Sequence, residues 1–172
     1  MEVCKKQLEQ SGLQYFDLYL VHAPFQKSGE AFLKSLSQIW SEMEELVAQG
    51  MARQLGVSNW RIQDLEEVWK AAKIKPVCNQ IEGHPYLLQE KLIKYCQERK
   101  ILLTYYGPQL PLTKLKGGPL DSVLEELKDR YKATEGQILL RWVYQQGVVP
   151  ITTTSKIERM KDSRPLLASF RA

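Results

Sequence analysis

The chain has 172 residues, 44% of them hydrophobic, and 24 Lys plus Arg against 20 Asp plus Glu give a net charge of +4. That supplies one globular core, and charges scattered along helical faces leave no basic tract for nucleic acid. Cys4, Cys78 and Cys96 stand far apart without CxxC spacing and read as reduced thiols; no stretch is apolar enough to span a bilayer, and MEVCKKQLEQ has neither signal- nor transit-peptide character. A single domain over residues 1–172, cytoplasmic and off the membrane, is expected.

In chain order, EVCKKQLEQSG reads as an amphipathic helix closed by Gly12, and YFDLYLVH as a first strand, a buried apolar run that ends on His22. A polar loop holding Gly29 leads to AFLKSLSQIWSEMEELVAQG, where Leu36, Ile39, Trp40, Met43, Leu46 and Val47 recur at helical spacing until Gly50 stops the run. ARQLGVSN is the second strand, IQDLEEVWKAAKI the next helix, and PVCNQIE the third strand, which runs into a loop at His84 and Pro85. QEKLIKYCQERK is helical and ILLTYYG is the fourth strand. After the loop PQLPLTKLKGGPL come two helices in series, DSVLEELKDRYK and TEGQILLRWVYQQG, the second opening on a Thr134–Gln137 capping box and closing on Gly147. VVPITT is the fifth strand and SKIERMKDS begins a last helix.

Continuous apolar strands alternating with helices imply a parallel sheet of βα units, wound either as an open sheet or as a barrel. His22, Ser58 with Asn59, Gln80 with Glu82, and Tyr106 all fall at strand tips or just beyond them. Open sheets concentrate their site at one switch point, so four successive polar tips favour the barrel. Neither GxGxxG nor GxxxxGK[ST] occurs, and HExxH, a nucleophile elbow and a paired-cysteine zinc site are also lacking, so no metal ligands are assigned.

At these tips a family becomes visible. YFDLYLVHAP, ARQLGVSNW, CNQIEGHPYL, ILLTYYGP and GQILLRWVYQQGVVPITTTSKIERMKD, in that order, resemble the aldo-keto reductases, (β/α)₈ barrels that use NADPH to reduce aldehydes and ketones. The resemblance covers nearly the whole chain and implies a partial barrel of about five parallel strands, without the first three. It implies that His22 is the active-site histidine that helps position the substrate carbonyl. By the same resemblance Ser58, Asn59 and Gln80 bond the nicotinamide carboxamide and Tyr106 stacks on the ring. TTTSKIER would receive the adenosine 2′-phosphate through Thr154, Ser155, Lys156 and Arg159, and Asp162 would reach the adenine. The chemistry agrees: amides and a hydroxyl suit a carboxamide, a tyrosine face suits a flat ring, and Arg with free helix N–H groups suits a phosphate.

The sequence also departs from the family. The catalytic tyrosine, its lysine and its aspartate belong to strands that precede His22, and no tyrosine within residues 1–15 is placed to substitute. Gly107 lacks the hydroxyl usual for the pyrophosphate region, and Ile151 stands where many relatives carry a phosphate-binding lysine. A closed barrel needs about 250 residues, so five strands are expected to leave open edges and apolar side chains facing water, which self-association through those edges would cover. The implied activity is NADPH-dependent reduction of a small carbonyl compound, inactive in this chain alone; the alternative is a catalytically dead NADP-binding remnant or an interaction module. An unrelated barrel hydrolase or aldolase is disfavoured, because no carboxylate pair or Schiff-base lysine sits on a strand tip.

Other residues have local readings. His84 before Pro85 is expected to structure its loop, and Glu82 to be an inward, hydrogen-bonded carboxyl. Trp40, Trp69 and Trp142 sit on amphipathic helices as core packing. Trp60 either lines the substrate mouth or caps helix packing. Tyr105 and Tyr106 point to opposite faces, so only one can stack on a cofactor.

Overall fold

The helix that begins after Ser35 shows how the local sequence sets this fold. Ser35 accepts a hydrogen bond from the backbone N–H of Gln38 (3.2 Å) and Gln38 Oε1 accepts one from the Ser35 N–H (2.9 Å), which satisfies two of the donors a helix start leaves open. In the computed structural model, which describes residues 1–26 and 28–163 and only the backbone of 162–163, the elements are α1 (Glu2–Ser11), β1 (Phe16–Val21), α2 (Leu36–Ala48), β2 (Ala52–Ser58), α3 (Ile62–Ala71), β3 (Cys78–Glu82), α4 (Glu90–Glu98), β4 (Leu102–Tyr106), a 3₁₀ turn (Leu110–Leu112), α5 (Leu120–Tyr131), α6 (Glu135–Gln145), β5 (Val149–Ile151) and α7 (Ile157–Ser163). The five strands are parallel and follow chain order. The chain divides into two compact units, residues 1–80 with 91–102 and residues 81–90 with 103–172, so that β3 starts in the first and ends in the second.

In the first unit β2 lies between β1 and β3, with Leu20 opposite Gly56 and Ser58 opposite Gln80. Leu55 and Val57 are fully buried, as a strand with a neighbour on each side should be. β1 is different: none of its residues is buried, and Leu18 is 40% exposed. The buried first strand expected from FDLYLVH is therefore corrected to an edge strand whose only partner within its unit, among the described residues, is β2. Its apolar composition reflects β propensity.

Gly56 is required by space. A Cβ there would lie 2.5 Å from Leu20 Cδ2 and 2.9 Å from the Cys78 carbonyl oxygen, and the backbone atom cannot yield. On the outer layer Trp40 of α2 is 1% exposed, donates from Nε1 to the Ile74 carbonyl at 2.8 Å, and meets Trp60 edge-on at 6.4 Å. Glu44 Oε1 accepts from the N–H groups of Lys73 and Ile74 at 2.7 and 2.8 Å, and so pins the turn after α3 to α2. Trp69 is half-buried, with the Lys75 ammonium 5.4 Å from its ring centre.

In the second unit Tyr105 of β4 is fully buried and donates its hydroxyl proton to the Leu88 carbonyl at 3.2 Å. Its ring occupies the space a side chain at residue 83 would need, so Gly83 lets the end of β3 approach β4, and the Gly83 N–H reaches the Tyr106 carbonyl at 3.2 Å. Thr104, Tyr105 and Tyr106 pair with Val149, Pro150 and Ile151 of β5. The Thr134–Gln137 capping box opens α6 as the sequence implies, with bonds of 3.2 and 2.8 Å. Trp142 of α6 is half-buried, less enclosed than its helical spacing suggests. Val149 and Ile151 are 45% and 38% exposed, so apolar side chains on β5 do face water.

All three cysteines are buried and unbridged. Cys96 is fully buried, and loss of hydration pushes its thiol from 9.0 up to about 12.

Two outcomes follow. Gly56→Ala is expected to lose about 1–3 kcal/mol in urea unfolding, as for an overpacked core. Because the folded thiol of Cys96 keeps its proton to about 12 while the unfolded thiol loses it near 9.0, this residue's stabilisation is complete below about pH 9 and declines as pH rises toward 12. Cys96→Val is therefore expected to show a shallower alkaline fall in stability, measured by pH-dependent urea midpoints; identical slopes would contradict the assignment.

Candidate functional site

At the end of β2 the ladder runs out and side chains take over the bonding. Ser58, 3% exposed, donates from Oγ to the Gln80 carbonyl at 2.8 Å, and the Asn59 N–H donates to the same oxygen at 2.8 Å. A carbonyl has two lone pairs and both are used here. Asn59 has φ 61, the left-handed conformation that asparagine tolerates better than most residues. From there its Nδ2 donates to Ser58 Oγ at 3.1 Å and to the His22 carbonyl at 3.0 Å. The tips of β1, β2 and β3 are thus sewn together, and His22, Ser58, Asn59 and Gln80 are neighbours, as their places on the strands imply. The Gln80 side chain is half-buried, whereas that of His22 is exposed: its backbone, not its ring, is built into the network.

Trp60 follows immediately. It is 1% exposed, its N–H meets Asn79 Oδ1 at 3.4 Å, and its carbonyl accepts from Asn79 Nδ2 at 2.9 Å. Of its two readings the structure selects helix packing, against Trp40.

In the second unit Tyr106 is half-buried and Tyr105 fully buried, so Tyr106 is the tyrosine with a face to offer. Burial, with a smaller contribution from the Glu82 carboxylate, pushes the Tyr106 phenol above its usual 10.0, which keeps it neutral at physiological pH. Glu82 Oε1 lies 3.2 Å from His84 Nε2; His84 is 4% exposed, and its carbonyl accepts from the Leu87 N–H at 2.7 Å. His84 therefore structures its loop, as expected. The Glu82 side chain is 39% exposed, so its carboxyl is bonded but not enclosed. Gly107 has φ 67, and a Cβ there would lie 2.9 Å from Leu110 Cδ1; a serine hydroxyl does not fit this backbone without strain.

The second unit also holds an open cavity of about 470 Å³ lined by Gln109, Glu135, Gly136, Thr152, Thr154 and Arg159 among others. Gln109 spans it, donating from Nε2 to the Gly136 carbonyl (3.2 Å) and accepting from Thr152 Oγ1 (3.4 Å). Gly136 is essential to that arrangement, since a Cβ would come within 2.7 Å of Gln109 Nε2. Thr154 Oγ1 accepts from the Lys156 N–H at 3.1 Å and shapes the turn into α7. Of the phosphate residues named from the sequence, Thr154 and Arg159 line the cavity; Ser155 and Lys156 are exposed beside it, outside its lining. Asp162 belongs to α7, but its side chain lies outside the described residues. Sequence reasoning missed Gln109, Glu135 and Gly136. The capping motif located the start of α6, but nothing in it showed which loop that helix start would face.

The family model described as the aldo/keto reductase family matches residues 1–168. Among curated relatives, the chain is 42% identical over 163 residues to an NAD/NADP-dependent indole-3-acetaldehyde reductase of Schizosaccharomyces pombe, covering 94% of this chain and 57% of that protein. It is 41% identical over 167 residues to an NADPH-dependent alpha-keto amide reductase of Saccharomyces cerevisiae, covering 94% and 53%. The crystal structure of a Bombyx mori aldo-keto reductase in complex with NADP superimposes with a TM-score of 0.90 at 30% identity, over 99% of this chain and 58% of that one. The chain thus spans little more than half the length of these relatives.

Asn59→Ala removes two hydrogen bonds and leaves a side chain that resists positive φ; it is expected to cost about 1–3 kcal/mol. Asn59→Gly, which restores only the backbone, is expected to recover part of that loss. Equal urea midpoints for the two variants would show that the left-handed backbone contributes nothing.

Proposed function

Because this chain belongs to the aldo/keto reductase family, we propose that it carries the dinucleotide-binding portion of an NADPH-dependent reductase of small aldehydes and ketones, cytoplasmic, with residues 1–172 acting as one NADP-dependent domain. What supports this reading above all is the cavity on which Thr154 and Arg159 converge, in a chain whose β2 and β3 tips also carry the Ser58–Asn59–Gln80 network.

The residues fit the cofactor by their chemistry. Ser58, Asn59 and Gln80 offer a hydroxyl and two amides to a nicotinamide carboxamide, and the network that immobilises Asn59 fixes how those groups are presented. Tyr106 offers a neutral aromatic face to the ring. Thr154 and Arg159, with Ser155 and Lys156 beside them, offer hydroxyls and cations to the adenosine 2′-phosphate, and Asp162 an acceptor to the adenine. Bound there, the cofactor supplies a hydride for the substrate carbon. His22 is the group that orients the carbonyl oxygen.

The general acid that must protonate that oxygen is worth roughly 10²- to 10⁴-fold in rate, and none of the site residues named above supplies it. We therefore hold that the chain by itself binds the dinucleotide without measurable carbonyl turnover. Exposed apolar residues on the edge strands β1 and β5 make self-association the route by which the isolated chain covers them.

Titration with NADPH, followed by its fluorescence, is expected to saturate, and an added aldehyde is expected to leave NADPH unconsumed. Absence of binding overturns the cofactor reading; steady NADPH consumption overturns the reading that the chain by itself does not turn over a carbonyl.

A further inference from the structure

In the second unit one backbone bond fixes what stands beside Tyr106. The Gly83 N–H donates to the Tyr106 carbonyl at 3.2 Å. Where β2 pairs with β3, the equivalent bond from the Asn59 N–H to the Gln80 carbonyl accompanies Ser58 opposite Gln80. By the same parallel register Glu82 stands opposite Tyr106, and opposed residues project from one face of a sheet. The Glu82 side chain keeps to that end of β4, since a Cβ on Gly107 would come 3.8 Å from Glu82 Cγ. Its charge is felt at the phenol, where it adds to the effect of burial in holding the proton.

A partly exposed carboxylate is ordinarily free to swing into solvent, but this one is tethered. Glu82 Oε1 lies 3.2 Å from Nε2 of the buried His84 ring, and the other ring nitrogen, Nδ1, is buried with no hydrogen-bond partner among the described residues. The imidazole N–H therefore belongs at Nε2, where the carboxylate receives it. The ring cannot follow the carboxylate outward, because the Leu87 N–H bond to the His84 carbonyl at 2.7 Å holds the loop.

We propose that the Glu82 carboxylate, held by His84 as its positioning residue, makes this chain discriminate between the oxidation states of a nicotinamide cofactor by attracting the cationic ring of the oxidised form. The proposal rests on the reading of Tyr106 as the platform for that ring. The oxidised ring carries one positive charge and the reduced ring none, while the phosphates, riboses and adenine are the same in both. A fixed negative charge beside the stacking face therefore acts on the difference between the two forms, and it acts through Coulomb attraction in a partly desolvated place.

Glu82 also ties down the His84 loop, and loss of that order weakens both cofactor forms alike. A charge effect changes their ratio, which separates the two by experiment. Titration of the chain with NADP⁺ by calorimetry and with NADPH by fluorescence gives that ratio. Glu82→Gln, which keeps an oxygen for the His84 N–H, is expected to weaken NADP⁺ relative to NADPH by about threefold to tenfold. Glu126→Gln makes the same change of charge at an exposed position of α5 and is expected to leave the ratio where it is in the wild-type chain. His84→Phe releases the carboxylate and is expected to shift the ratio in the same direction as Glu82→Gln, but less. Should Glu82→Gln fail to fold, Glu82→Ala gives the same readout. A ratio unmoved by the neutral Glu82 variants, or moved as far by Glu126→Gln, overturns the proposal, and a ratio unmoved by His84→Phe overturns the positioning role. Binding of neither dinucleotide overturns the cofactor reading, and the proposal with it.

Discussion

The carbonyl oxygen of Gln80 accepts two protons, one from the Ser58 hydroxyl and one from the Asn59 backbone, each at 2.8 Å. Each bond contributes on the order of 1 kcal/mol net, but leaving such a buried acceptor unmatched would cost about 1–3 kcal/mol, so the pair is strongly held. Everything at the rim of the first unit follows from it. The first bond fixes the rotamer of Ser58, and the second draws Asn59 into its left-handed turn. From that turn the Asn59 amide reaches across to the His22 carbonyl. A left-handed residue costs about 1–2 kcal/mol, and the three bonds it makes possible offset that cost.

The second unit positions its groups by another device. Its cavity is framed by a helix start and two loops, and order comes from reciprocal capping at Thr134 and Gln137 and from a single amide, Gln109, that bonds to both sides. The close approach of Gln109 to the α6 backbone depends on the missing side chain of Gly136. Strand tips give a rigid array of amides and hydroxyls in one unit, and loops give a more open, hydroxyl-rich pocket in the other.

Much of this was legible in the sequence. The five strands, the order of helices, the Thr134–Gln137 cap and the loop role of His84 all follow from local patterns that act over a few residues. What was not legible depends on neighbours far away in the chain. FDLYLVH has the composition of a buried strand, yet exposure is set by how many strands flank it, and β1 has one partner within its unit. Trp60 had two readings because a tryptophan after a strand tip packs wherever a partner waits, and Trp40 lies 20 positions earlier. The Ser35–Gln38 cap was overlooked because apolar residues at 31–33 extend the helical pattern past the true start. Glu135 opens α6, and that it lines one cavity with Thr152, Thr153 and Thr154 depends on a loop far along the chain.

The edge-on pair of Trp40 and Trp60, both 1% exposed, carries a consequence for watching this protein. Three of the four tryptophans, including half-buried Trp69, lie in the first unit, and Trp142 alone lies in the second. Ultraviolet emission therefore reports mainly on one half of the polypeptide, with the coupled indoles lending it a distinct near-ultraviolet dichroic band. A chain carrying Phe in place of Trp142 and its counterpart keeping only Trp142 would act as two separate optical gauges, one for each half, in the same denaturation curve.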